Sequence, residues 1–180
     1  MLFHKTSIHG VVVVELEPYS DERGSFARAF CRRVFEEHGL EGHVEQMNIS
    51  VSTTAGTLRG LHYQLPPAAE AKLVRCVRGA LYDVAVDLRH QSPTFGTCFG
   101  TELSESNGLA LVVPEGCAHG FQTLVSDTAA LYQVSAAYDP SRERGIHHAD
   151  PALDIRWPIE VSNVSPRDRQ LPFMTDAELP

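Results

Sequence analysis

Between Gly56 and Gly79 the chain reads GTLRGLHYQLPPAAEAKLVRCVRG. His62, Lys72 and three arginines, Arg59, Arg75 and Arg78, stand there among Leu58, Leu61, Leu73, Val74 and Val77. The apolar positions read as buried strand, and ionisable groups inside a sheet are costly unless they are paired or face a ligand. The stretch therefore reads as one wall of a site. His62 suits proton abstraction, because an imidazole titrates near neutrality. A base of this kind needs a cation to hold the negative charge it creates. Lys72, across the Pro66-Pro67 turn, can project into the same cavity from the next strand. Arg59 lies three residues before His62, so strand alternation puts it on the opposite face unless the chain bulges at Gly60, and glycine inside a strand often marks a bulge. Tyr132, in the strand Ala129–Tyr138, is a candidate acid on the far side. Without such context a strand tyrosine belongs to the core.

The elements that must hold these groups are short strands. Ile8–Leu16 is a β-branched run that reads as a first strand. Asp21-Glu22-Arg23-Gly24 is a turn signal, and Cys31–Gly39 is the one short helix, ended by Gly39. Val44–Ser52, Thr57–Gln64, Lys72–Val77, Leu81–Leu88, Phe95–Leu103, Leu109–Val113, His119–Leu124 and Ala129–Tyr138 follow as strands. Their regular spacing predicts an all-β sandwich or barrel. From Asp150 the tail reads as an irregular cover with a short helix near Ser165. Ser165-Pro166-Arg167-Asp168 fits a helix start, with Ser as the cap and an acid at its third position.

Composition sets outer limits. The 180 residues suffice for one domain, residues 1–180, with a real core. A net charge of −8, from 15 basic and 23 acidic residues, argues against a nucleic-acid partner. It leaves room for a phosphorylated small ligand held by a local arginine cluster. No apolar run is long enough to cross a membrane, and the first residues lack the order of a signal peptide, so a cytoplasmic location is expected. The four cysteines form no CxxC pair and read as reduced core filler.

Two glycine-framed motifs sharpen the fold. Gly56 with His62, Gln64 and Gly79 resembles the first cupin motif, and Gly108 with Pro114, Glu115, Gly116 and His119 resembles the second. Together they imply an all-β cupin-type double-stranded β-helix, a jelly roll with a few short helices. A cupin suggests a metal held by histidines and a carboxylate. Here Gln64 occupies the place of a second ligand histidine, and Lys72 falls where the carboxylate would be. A cation repels a metal, so no metal is expected. His147-His148, read as a strand pair pointing to opposite faces, is expected at the rim.

Beyond these, Leu58-Arg59-Gly60-Leu61-His62-Tyr63-Gln64, Lys72-Leu73-Val74, Asp83-Val84-Ala85-Val86-Asp87, Ser92-Pro93-Thr94-Phe95-Gly96 and Ala118-His119-Gly120-Phe121 occur in order. With Asp21-Glu22-Arg23-Gly24 before them, they make the chain resemble the dTDP-4-dehydrorhamnose 3,5-epimerase family over nearly its whole length. The resemblance implies a homodimer with no metal or other cofactor. It implies a dTDP-4-keto-6-deoxy sugar as substrate, inverted at C3 and C5 through an enolate. It casts His62 as base, Asp168 as the group that orients it, Lys72 as the enolate's cation and Tyr132 as acid. Arg23, Phe26, Gln46, Asn48, Arg59, His119, Glu143 and Arg167 match substrate contacts, and Tyr138 matches an aromatic ring stacked on the thymine.

Several residues depart from the family pattern. Arg28 replaces a common acid, Ala137 a tyrosine, His148-Ala149 a Trp-Asn pair, Cys117 a phenylalanine and Arg167 a lysine. They gather around the nucleotide and rim, so the nucleobase, the sugar and the number of inverted centres are the variable features. The alternatives are an epimerase acting at one centre only, a metal-dependent cupin and a sugar-nucleotide binder without catalysis.

Overall fold

The computed structural model describes residues 1–180. Two short hairpins come first, β1 (Leu2–Lys5) with β2 (Val12–Glu15), then β3 (Tyr19–Asp21) with β4 (Gly24–Phe26). Helix α1 spans Arg32–Glu37. β5 (Gln46–Ser52), β6 (Thr57–Gln64), β7 (Lys72–Arg78), β8 (Ala80–Asp87) and β9 (Cys98–Ser104) follow. Then come β10 (Ala110–Val113), β11 (Cys117–Thr123), β12 (Thr128–Val134), β13 (Glu143–Gly145) and β14 (Asn163–Val164). A 3-10 turn, Asp168–Gln170, closes the series.

The strands form two antiparallel sheets, in the orders β1-β2-β10-β7-β12-β5 and β13-β6-β11-β8-β9, with β14 added parallel to β6. The β3–β4 hairpin belongs to neither. This is the expected all-β jelly-roll class. One core cluster fills part of the space between the sheets: Val74, Cys76, Leu111 and Ala130 from one, Leu81, Ala85, Leu103 and Phe121 from the other. Each of the valine, leucine and phenylalanine side chains among them, fully buried, contributes on the order of 1.5–3 kcal/mol, and the alanines less. The outer face of the second sheet is also buried, because Leu153, Trp157, Met174 and Leu179 from the irregular tail pack over Leu61, Tyr63, Val84 and Val86. Strand β11 is accordingly buried at all seven positions. No helix is long and apolar enough to cross a membrane.

Two local expectations are corrected and one is shortened. The run Ile8–Leu16 is not one strand: Gly10, at φ +82°, breaks it, Ile8 plugs the core, and only Val12–Glu15 is extended. That strand lies between β1 and β10 and so is not an edge of its sheet. His147 and His148 are not on a strand with rings on opposite faces; they are half-buried and stacked, with centroids 4.5 Å apart. The helix is confirmed in shortened form, with Phe35 buried against Phe3 and Phe30.

Candidate active site

A cavity of about 410 Å³ opens where the core between the sheets ends. His62, Arg59 and His119 line it from β6 and β11 of one sheet, Lys72 and Tyr132 from β7 and β12 of the other, and Asp168 from the tail. A second chamber of about 360 Å³ shares His62, Lys72 and Tyr132 and extends past Gln46, Asn48, Glu70, Tyr138 and Glu143. An imidazole and a phenol thus look at one space from opposite sides.

The bulge expected at Gly60 makes this possible. β6 and β11 pair His62 with His119 and then Arg59 with Phe121, a shift that puts one extra residue in β6. Arg59 and His62 therefore share a face. Gly60 takes φ +110°, and a Cβ there would sit 2.8 Å from the Gly120 Cα and from the His119 carbonyl, so only glycine fits. The N–H of Gly60 donates to Asp168 Oδ2 at 3.1 Å, while Asp168 Oδ1 bonds His62 Nε2 at 2.8 Å. The Asp168 N–H donates to Ser165 Oγ at 3.0 Å, but the 3-10 turn that follows has Arg167 as its N-cap with no side-chain cap bond, and the Asp168 carboxylate goes to Gly60 and His62 instead of capping a helix.

Burial alone would raise the Asp168 carboxyl, but the hydrogen bond and charge of His62, with the Gly60 N–H and Ser165, hold it below the usual carboxylate range. An ionised Asp168 fixes the His62 proton on Nε2 and leaves Nδ1 as the basic nitrogen. Opposite it, burial pushes the Tyr132 phenol up, Glu70 and Glu143 add to the effect, and Arg59 opposes it. A phenol on one sheet and an imidazole on the other, with an ammonium lining the same cavity, can remove a proton on one side of a bound molecule and return one on the other.

Rim residues form their own network. Tyr138 Oη donates to Glu143 Oε2 at 2.5 Å, Arg167 Nη2 donates to the same oxygen at 2.5 Å, and the Tyr138 N–H donates to Gln46 Oε1 at 3.2 Å. The Tyr138 ring stays more than half exposed and free for stacking. Arg59 is held by Ser52 Oγ and the Val51 carbonyl. Arg23 and Phe26 are not brought together with the others. They lie on the separate β3–β4 hairpin, where Arg23 pairs with Asp21 and both side chains are exposed.

Gln64, where a second ligand histidine would stand, ties loops together instead. Buried, it donates to the carbonyls of Ala68 and Ala137 and accepts from the Asp139 N–H. Cys117 is core filler, its thiol pushed up to about 12 by burial. Sequence reasoning missed two acids. Asp83 on β8 is wholly buried and bound to His119 Nε2 at 2.7 Å, and Glu70 pairs with Lys72. The signal for Asp83 was present, an acid inside the apolar strand DVAVD that burial allows only with a partner.

A family profile for dTDP-4-dehydrorhamnose 3,5-epimerase matches residues 5–176. The chain belongs to the dTDP-4-dehydrorhamnose 3,5-epimerase family. A dTDP-4-dehydrorhamnose 3,5-epimerase of Sinorhizobium fredii is 44% identical over 181 aligned residues, covering 100% of this chain and 92% of that protein. The crystal structure of the epimerase from Elizabethkingia anophelis superposes with a TM-score of 0.95 at 41% identity, covering 98% and 97% of the two chains. A dTDP-6-deoxy-D-glucose-3,5-epimerase from Legionella pneumophila, solved in complex with dTDP-4-keto-L-rhamnose, gives 0.93 at 37% identity over 99% and 97%.

Proposed function

We propose that this chain converts dTDP-4-dehydro-6-deoxyglucose to dTDP-4-dehydrorhamnose by inverting C3 and C5. The observation that carries the reading is the placement of His62 and Tyr132 on opposite sheets around one cavity, with Lys72 beside them. The C4 ketone acidifies the protons on C3 and C5. His62 Nδ1 removes one, with Asp168 holding the ring and stabilising the imidazolium. The electrons move onto the C4 oxygen, where the Lys72 ammonium holds the enolate. Tyr132 delivers a proton to the opposite face, and the centre is inverted. Gln46, Asn48, Arg59, His119, Glu143 and Arg167 contact the sugar and diphosphate, and Tyr138 stacks on the base.

Arg23 and Phe26 fit this reading in a homodimer, as contributions from one protomer's hairpin to its partner's nucleotide site. The dimer has support in β5, an edge strand whose outward Met47, Ile49 and Val51 are 55%, 68% and 48% exposed, an apolar row that a second copy would cover. The domain is of cupin type, residues 1–180. The four free thiols fit a reducing compartment, the cytoplasm.

The test is deuterium incorporation. The protein is incubated in D2O with dTDP-4-keto-6-deoxyglucose, and the C3 and C5 protons are followed by NMR. Both signals should fade, and reduction should give a rhamno-configured product. Loss of one signal would replace the reading with a single-centre epimerase. No exchange would overturn the substrate assignment.

A further inference from the structure

Glu70 stands in the loop between β6 and β7, two residues before Lys72. Its Oε1 accepts a hydrogen bond from Lys72 Nζ, and the two side chains are only 9% and 11% exposed. It lines the second chamber with His62, Lys72 and Tyr132. An ion pair this deep gives up hydration on both sides, and its net contribution to stability is small or negative. Its place beside two proton-handling groups points to a different use. A lysine ammonium rides on a flexible four-carbon stem, and Glu70 is the one side chain bonded to it here.

We propose that Glu70 is a positioning residue of this site. Its carboxylate holds the Lys72 ammonium in the cavity beside His62 and places a negative charge in the chamber that the Tyr132 phenol lines. Glu70 acts through these two groups and does not touch the reacting atoms. What the two groups then do rests on the epimerase reading; the ion pair itself does not. Among the charges around the phenol, Glu143 works in the same direction as Glu70 and Arg59 against it. His62, Lys72 and His119 face the phenol's cavity from β6, β7 and β11, with Asp168 and Arg167 from the tail. Tyr138 faces the second chamber. Glu70 is the acid of this set that also binds the ammonium.

Two substitutions in the full chain separate the roles. Glu70→Gln keeps the shape and an accepting oxygen but removes the charge; Glu70→Ala removes both. The first readout needs no substrate. Phenol ionisation is followed by ultraviolet absorbance, and the Tyr132 contribution is isolated by subtracting the titration of Tyr132→Phe in the same background. Glu70→Gln should move the Tyr132 midpoint to lower pH, and an unmoved midpoint would overturn the proposal. The second readout is sugar-proton exchange at neutral pH. Glu70→Ala should lower kcat by roughly tenfold to a hundredfold, the scale of a misplaced catalytic group, with dTDP affinity unchanged. Glu70→Gln should recover most of that loss. Equal losses in both variants, or a loss confined to KM, would reject the positioning role. Should the unsubstituted protein exchange no sugar proton, the epimerase reading fails while the phenol titration still decides the case for Glu70.

Discussion

His62 and His119 sit opposite each other on paired strands, and each is bound through Nε2 to a carboxylate, Asp168 at 2.8 Å and Asp83 at 2.7 Å. The pairs have the same chemistry and different surroundings. Asp168 has both oxygens satisfied, one by His62 and one by the Gly60 N–H, and is held below the usual carboxylate range against the pull of burial. Asp83 is wholly buried on β8, its Oδ2 has no partner, and burial pushes it above that range despite the charge and hydrogen bond of His119. His62 has a side chain 31% exposed to the cavity, and His119 one of 11%. The second hydrogen bond to the acid is what separates the two pairs: it helps hold Asp168 ionised beside the more exposed ring, while Asp83, lacking it, is pushed toward its neutral form beside the more buried one.

This contrast orders the expected effects of substitution. His62→Ala should be the most damaging, with sugar-proton exchange falling by about 10³-fold or more while dTDP still binds, because a positioned general base contributes on that scale. Retained exchange would remove His62 from the base role. Asp168→Asn should come next, costing about a hundredfold in kcat, the low end of what a positioned base contributes, since the amide no longer fixes the proton on Nε2 or stabilises an imidazolium. Asp83→Asn should cost less than about tenfold, because its carboxylate already resists ionisation and the amide oxygen can still accept from His119. If Asp83→Asn were as damaging as Asp168→Asn in the same exchange assay, the two pairs would be doing the same work.

The two pairs were not equally legible in the sequence. His62 declared itself, because an ionisable group between Leu61 and Tyr63 in a buried strand needs a reason, and Gly60 announced the bulge that turns Arg59 to the same face. Asp168 could be read from local chemistry only as a helix cap. Its bond to His62 spans more than a hundred residues, and the resemblance alone supplied it. Asp83 carried the same warning as His62 and passed unassigned, since an acid in a strand says that a partner exists without saying which. The existence and approximate place of the strands were legible from β5 to β12, where alternation and glycine turns are regular, though the span read to Tyr138 ends at Val134 and the one read from Phe95 begins at Cys98. That reading failed at the N-terminal hairpin, where Gly10 separates Ile8 from the valine run, and at β13 and β14, where only two or three residues pair along β6 and no periodicity can show.

The smallest effect separates the pairs by sign. The Asp168 pKa lies lower in the folded chain than in the unfolded one, which titrates near about 3.9. Its contribution to stability is fully present above that value and is lost as pH falls through it toward the folded pKa. The Asp83 pKa lies higher when folded. Its contribution is fully present below the unfolded value and is lost as pH rises through it toward the folded pKa. In the first case the unfolded chain binds more protons inside the window, and in the second the folded chain does, so the slopes oppose. Urea unfolding from about pH 3 to pH 5 should then show the gap between the parent protein and Asp168→Asn widening in favour of the parent as pH rises. The gap to Asp83→Asn should move the other way, with the variant gaining. The comparison does not depend on turnover, because it reads only the protons held by each carboxylate. Parallel slopes for the two variants would mean that the unpaired oxygen of Asp83 has found a partner in solution, and that the difference between the two histidines lies in their access to the cavity alone.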